Sequence, residues 1–198
     1  AAGELKRRLR RLELRDPVEA GTFHGVALRL LRDRAEAGHQ PPPQVANDRV
    51  RLVRECLTQL GLKLDPVAVM ADLDWSRARL IAPEHYERAT RAVRRRSTVP
   101  SARFTDLAAT YAQLKQRRGV VDFDDLLTGV LQAMSTDPTW AEAVRWRFRH
   151  LFVDEAQDLN PLQHAVLEVI RANRSDLCLV GDPRQAIYGW NGADPLLL

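Results

Sequence analysis

The stretch Leu151-Phe152-Val153-Asp154-Glu155-Ala156-Gln157-Asp158 decides the fold, because a short apolar run ends without a spacer in acidic residues. Three consecutive large apolar residues followed by polar ones predict a buried strand whose carboxyl end carries Asp154 and Glu155. Downstream, Leu162, Val166, Val169 and Ile170 repeat at helical spacing from Pro161 to about Ala172, and Leu177 to Val180 predicts a second strand. Strand, helix and strand at this spacing imply an α/β unit with a parallel sheet, whose functional residues leave the carboxyl ends of the strands. Those ends hold Asp154 and Glu155, and Gly181 and Asp182.

Upstream the pattern is helical. Asp122 is a good cap for a helix that places Phe123, Leu126, Leu127, Val130, Leu131 and Met134 on one face, and a further helix runs from about Pro138 to Arg147. Gly119 marks a shift from basic to acidic composition. From Asn47 to Arg118 helical segments are expected near 47 to 60, 66 to 80, 83 to 95 and 102 to 118, the last with Phe104, Leu107, Ala108, Tyr111 and Leu114 in one stripe. Pro41, Pro42 and Pro43 form a stiff linker, since proline fixes its backbone angle and lacks an amide donor. Before it, Ala1 to Leu12 reads as a basic helix, Val18 to Thr22 as a short extended stretch, and the next helix carries Val26, Ala27, Leu30 and Leu31 and ends at Gly38.

With 198 residues and 45% hydrophobic composition the chain can bury a real core. No run approaches the roughly 20 apolar residues of a membrane span, and the N-terminus lacks the pattern of a signal peptide, so a cytoplasmic location is expected. Cys56 and Cys178 lie far apart in apolar contexts without zinc-site spacing, and both are expected to be buried, reduced thiols. His39, His85, His150 and His164 show no ligand spacing either. The net charge of +4 hides an asymmetry: residues 1–118 hold 24 Lys/Arg against 14 Asp/Glu, and residues 119–198 hold 6 against 12. A basic half (+10) beside an acidic half (−6) suggests a polyanion-binding surface next to a cation-holding site, against the plainer reading of a solvated helical surface.

Two carboxylates at a strand end suit phosphoryl transfer, in which one holds Mg²⁺ against a triphosphate and a second orients or deprotonates water; an acidic cap or solvated loop is the bland alternative. After the second strand, Gly181 and Asp182 lead to Gln185 and then to Tyr188 and Trp190, separated by one residue among Gly189, Asn191 and Gly192. Aromatics presented by small, flexible neighbours suit stacking on unpaired bases, whereas a core role would call for apolar neighbours.

Together these segments resemble the UvrD/Rep type of superfamily 1 DNA helicases. Asp154 to Asp158 looks like the family's Walker B segment and Gly181 to Asp194 like its third helicase motif. Thr22-Phe23-His24-Gly25 looks like its strand-contacting motif, Asp122 to Leu127 resembles a further motif, and Ala1 to Leu5 resembles the tail of the motif after the first strand. All five stand in the family's order. The resemblance implies part of a RecA-like, parallel-sheet P-loop NTPase domain (1A) over residues 1–39 and 121–198, with an all-helical insertion (1B) over 40–120. It further implies ATP and Mg²⁺ as nucleotide and metal. Asp154 would coordinate Mg²⁺, Glu155 would activate water, and Gln185 would sense the γ-phosphate. Thr22, Phe23, His24, Tyr188 and Trp190 would meet single-stranded DNA at duplex–single-strand junctions, in repair or replication. Asp124, Asp125 and Asp158 are read as capping or scaffold residues.

The phosphate-binding signature Gly-x-x-x-x-Gly-Lys-Ser/Thr occurs nowhere in the 198 residues. By the resemblance, the chain begins just after that loop and stops before the second motor domain, so the polypeptide alone is expected to be inactive. The alternatives are a non-catalytic single-strand-binding remnant and a metal-dependent phosphohydrolase, the latter requiring further carboxylates, such as Asp182, to converge on Asp154.

Overall fold

A computed structural model describes Gly3, Arg7 and residues 18–185. Gly3 and Arg7 are both helical; the rest of the expected first helix, and Tyr188 and Trp190, lie outside the described residues. Helix α1 (Phe23–Ala37) begins at Thr22, whose hydroxyl accepts the Gly25 amide proton at 3.1 Å, and ends at Gly38. Val18 to Thr22 form no strand, and Thr22 has the extended backbone that a cap needs.

A two-residue strand, β1 (Gln44–Val45), follows the prolines. Helices α2 (Arg49–Gln59), α3 (Pro66–Ala78), α4 (Tyr86–Ala92) and α5 (Ser101–Arg117) come next, with a 3₁₀ turn at Pro83–His85. Asp48 and Asp65 cap α2 and α3 through their side chains, and Pro66 supplies the pre-set first-turn backbone of α3. The apolar stripe read from the sequence forms a core: Phe104, Leu107, Tyr111 and Leu114 of α5 pack with Leu52, Val53 and Leu57 of α2 and Val69, Leu73 and Trp75 of α3. Within it Tyr86 and Phe104 stack with ring centroids 3.5 Å apart. A buried carboxylate, Asp72, ties down the segment before α5 by accepting from the Thr98 and Val99 amides at 2.7 and 3.0 Å and from Ser97 Oγ at 3.0 Å.

At the end of α5, Gly119 takes the left-handed conformation (φ 62°) that a side chain would disfavour, and the chain turns into β2 (Val120–Val121). Strand β2 lies parallel to β1, with Gln44 opposite Val120 and Val45 opposite Val121. The whole helical segment between them is thus the crossover of a parallel strand pair, leaving and returning side by side. Neither strand is marked by any alternation in the sequence.

Beyond it run α6 (Phe123–Thr136), α7 (Pro138–Arg147), β3 (Leu151–Val153), a 3₁₀ turn at Ala156–Asp158, α8 (Pro161–Arg171), β4 (Leu177–Leu179) and a 3₁₀ turn at Pro183–Gln185. The apolar faces of α1, α6, α7 and α8 form a second core through Ala27, Leu30, Leu126, Leu127, Val130, Val144, Leu162, Val166 and Ile170. Strands β3 and β4 pair in parallel, as the strand–helix–strand pattern requires.

Two expectations are corrected here. Strand β3 is not buried on both faces: Val153 turns inward, but Phe152 is 81% exposed. Cys178, which stands opposite Phe152 in the register, is exposed, whereas Cys56 is buried as expected. Side chains alternate across a strand, and among the described residues only one face of this strand pair is covered. No helix of the described residues is long and apolar enough to cross a membrane.

Candidate active site

Parallel pairing brings the carboxyl ends of β3 and β4 to one rim. The pairing continues past the strands, with the Val180 amide donating to Val153 O at 2.8 Å and the Ala156 amide donating to Val180 O at 2.9 Å. Asp154 and Glu155 therefore emerge beside Gly181 and Asp182. Both carboxylates of the pair are exposed. Glu155 sits in the left-handed region (φ 54°, ψ 41°), an uncommon and strained conformation for a residue with a side chain. Its amide donates to Asp154 Oδ1 at 3.1 Å.

Behind the two acids lies Gln157, only 1% exposed. Its Nε2 donates to Glu155 Oε2 at 2.7 Å, and its Oε1 accepts the Asp182 amide proton at 3.1 Å. Gly181 permits this approach, since a Cβ there would collide with Gln157 Oε1 and come within 3.1 Å of the Ala156 and Gln157 amide nitrogens. The Asp182 carboxylate faces the other way, accepting from the Arg184 amide at 3.0 Å and from Gln185 Nε2 at 3.1 Å. Those two bonds hold its pKa below the ordinary carboxylate value. Gln185 is thus tethered to the β4 rim at both its side chain and its amide, which donates to Asp182 O at 2.9 Å. Asp158, the last acid of the segment, has its pKa raised by burial and then by the charge of Glu155.

A hard divalent cation such as Mg²⁺ keeps several waters and binds through one or two carboxylates plus substrate phosphates, and the exposed Asp154 is available as one such carboxylate. A closed metal cage does not form: among the described residues no group of three or more His, Cys, Asp or Glu side chains converges. Asp182, the further carboxylate that a two-metal phosphohydrolase would need, accepts from Arg184 and Gln185 and belongs to no group of three or more candidate metal ligands among the described residues.

A second cluster sits where α3 and α5 meet the start of α6. Asp122 is fully buried and Asp125 partly so, and they form a capping box on α6, each accepting the other's amide proton at 2.9 and 2.8 Å. Lys115 of α5, itself buried, donates to Asp122 Oδ2 at 2.6 Å and also to Asp125. Arg77 of α3 reaches Asp125 at 2.6 Å, Asp122 at 3.5 Å and Asp124 at 3.8 Å. Burial would raise the Asp122 pKa, but the charges of Arg77 and Lys115 outweigh it and hold the group ionised. For Asp124 burial wins, reinforced by Asp74 and Asp122 against Arg77, and its pKa is pushed up to about 6. The capping and scaffold reading of Asp124 and Asp125 agrees with this arrangement.

His24, in the Thr22-Phe23-His24 segment, lies near the same cluster. His24 meets Phe123 edge to face with ring centroids 5.7 Å apart. Burial lowers the His24 pKa, opposed by Asp122. Phe23 is half-buried against both the α1/α6/α7/α8 core and the β3 core, and Thr22 is the α1 cap. Of the site residues read from the sequence, Asp154, Glu155 and Gln185 are thus brought to one rim, while Thr22, Phe23 and His24 gather at the start of α1. Sequence reasoning missed Gln157, Lys115 and Arg77. In the sequence Gln157 is one polar residue of an acidic segment, with no spacing that distinguishes it.

The UvrD/REP helicase N-terminal domain model matches residues 1–198, the full chain. The chain belongs to that family. Among its UvrD/REP relatives, the "ATP-dependent DNA helicase UvrD2" of Mycobacterium tuberculosis (strain ATCC 25618 / H37Rv) is 36% identical over 216 residues, covering 100% of the chain and 30% of that protein. The "DNA helicase II" of Escherichia coli (strain K12) is 28% identical over 201 residues, covering 98% of the chain and 27% of that protein. The "ATP-dependent DNA helicase PcrA" of Bacillus subtilis (strain 168) is 26% identical over 202 residues, covering 98% and 26%. The chain therefore spans less than a third of the length of these UvrD/REP helicases.

Proposed function

We propose that the chain forms the part of an ATP-dependent DNA helicase that carries the hydrolytic and DNA-reading rim of its first motor domain, coupling ATP hydrolysis to single-strand translocation and duplex unwinding in repair or replication. Residues 1–39 and 121–198 would belong to the RecA-like domain 1A, and residues 40–120 to the helical insertion 1B. The separate helical core between β1 and β2 supports that division. The carrying observation is the shared rim at which Glu155, Gln157, Asp182 and Gln185 are joined by hydrogen bonds beside Asp154.

On this reading Asp154 is the Mg²⁺ ligand, and the cation would supply charge neutralisation on the triphosphate. Glu155 takes a proton from the attacking water. A carboxylate has about four acceptor positions, so the single bond from Gln157 leaves capacity for it. Gln185, tethered to Asp182, would meet the γ-phosphate on one side and lead into the Tyr188 and Trp190 segment on the other. Phe23 and His24 would touch the strand from the start of α1.

The test is strand separation by the full-length protein on a partial DNA duplex, with ATP and Mg²⁺ present or withheld. Unwinding that requires both supports the proposal. Single-strand binding without ATP hydrolysis would instead support a non-catalytic binding remnant.

A further inference from the structure

Gln157 has no role in the reading above, and it is the best-buried polar side chain at this rim. In a solvated acidic loop a glutamine side chain would point to water; here it is almost fully enclosed, with its two ends spent on opposite loops. One end donates to the Glu155 carboxylate and the other accepts from the Asp182 amide. The Asp182 amide belongs to the same residue whose carboxylate holds Gln185. A continuous chain of hydrogen bonds thus runs from Glu155 through Gln157 and Asp182 to Gln185.

We infer that Gln157 is a positioning residue that fixes the Glu155 carboxylate against the β4 rim, so that a displacement of the Asp182–Gln185 turn is passed to the base. The inference rests on the proposed role of Glu155. Three features of the structure support it. The amide group can satisfy both loops only because it offers a donor and an acceptor at once. The strained Glu155 backbone is of a kind that persists only where surrounding contacts hold it, and the bond from Gln157 is one such contact. Gly181 lets the β4 loop approach closely enough for Gln157 to reach the Asp182 amide.

The two bonds are separable by substitution. Gln157→Glu keeps an acceptor for the Asp182 amide and, at a pH where it is ionised, has no donor for Glu155, while Gln157→Leu removes both. In the full-length protein, kcat and KM for DNA-stimulated ATP hydrolysis would be measured alongside residue-resolved amide exchange without nucleotide. The Val180 amide, bonded to Val153 O, reports whether the strand pair is intact. With Val180 protected, Gln157→Leu should speed exchange at Asp182, whereas Gln157→Glu should not. Both should lower kcat by about ten-fold or more with KM for ATP within about two-fold, as expected when a charge-assisted hydrogen bond that orients a base is lost. If the buried charge of Gln157→Glu costs the Val180 protection, Gln157→Leu alone decides.

Unchanged exchange at Asp182 in Gln157→Leu, or a folded variant of either kind with wild-type kcat, overturns the inference. A wild-type protein that hydrolyses no ATP would overturn the proposed function instead. In that case the exchange comparison still decides whether Gln157 joins the two loops.

Discussion

Replacing Asp122 tests how the helical segment is fastened to the rest of the chain. Its carboxylate is fully buried, caps α6 through the Asp125 amide at 2.9 Å, and receives Lys115 at 2.6 Å and Arg77 at 3.5 Å. Asp122→Asn retains the cap, since asparagine caps as well as aspartate, but leaves buried Lys115 with only Asp125 as an anionic partner. Removing one member of a buried ion pair costs about 3 to 5 kcal/mol, and the remaining Asp125 places this case near the lower figure, at about 3 kcal/mol. Asp122→Ala loses the cap as well, adding about 1 kcal/mol. Urea unfolding of the chain reads both values. Lys115→Met combined with Asp122→Asn should cost less than the sum of the two single changes, because the pair disappears together. An Asp122→Asn variant within about 0.5 kcal/mol of wild type, a shift typical of unconnected surface sites, would refute a fastening role for the cluster.

Asp124 should act in the opposite sense with pH. Its folded pKa lies near 6 against an ordinary 3.8, so its protonated form favours the fold and stability falls as pH rises from about 4 through 6. Asp124→Asn should remove that fall, gaining up to about 3 kcal/mol at pH 8 and nothing at pH 3 in denaturant titrations; equal pH profiles would contradict it. Gly181→Ala should push the β4 loop away from Gln157, costing about 1 to 3 kcal/mol and speeding amide exchange at Asp182. Unaltered stability together with unaltered exchange would count against the tight approach. Trp190→Ala in the full-length protein should weaken single-strand binding by about 1 to 3 kcal/mol in oligonucleotide titrations with little loss of stability, and a destabilised protein whose folded fraction binds normally would rule out stacking.

Much of this architecture was legible because the signals were local. The α5 and α6 stripes, the Asp122 cap, and the β3–α8–β4 alternation each follow from residues within one element, whereas the Thr22 cap was not read. The β1–β2 pair was not legible. Two residues carry no periodicity, and Gln44 and Val120 meet only because the helical segment between them closes on itself. Lys115 misled in another way. On a basic helix it reads as solvated, yet it is buried by acids beyond Gly119. Part of the charge asymmetry between the two halves is therefore spent internally, through Arg77 and Lys115 on Asp122, Asp124 and Asp125. Phe152 and Cys178 show the limit of reading apolar runs as buried, since a strand's two faces need separate cover. At the candidate site the acids were visible at the strand end, but Gln157 depends on a contact with β4 that no spacing within its own segment encodes.

The most direct test of the central claim is the single-turnover ATP hydrolysis rate of the full-length protein with single-stranded DNA, compared between wild type and Glu155→Gln. If Glu155 takes the proton from water, the amide variant should bind ATP as tightly as wild type while its hydrolysis rate falls by about 10² to 10⁴-fold, the usual contribution of a positioned general base. Hydrolysis by Glu155→Gln within a few-fold of wild type would contradict the assignment of this rim as the site of chemistry.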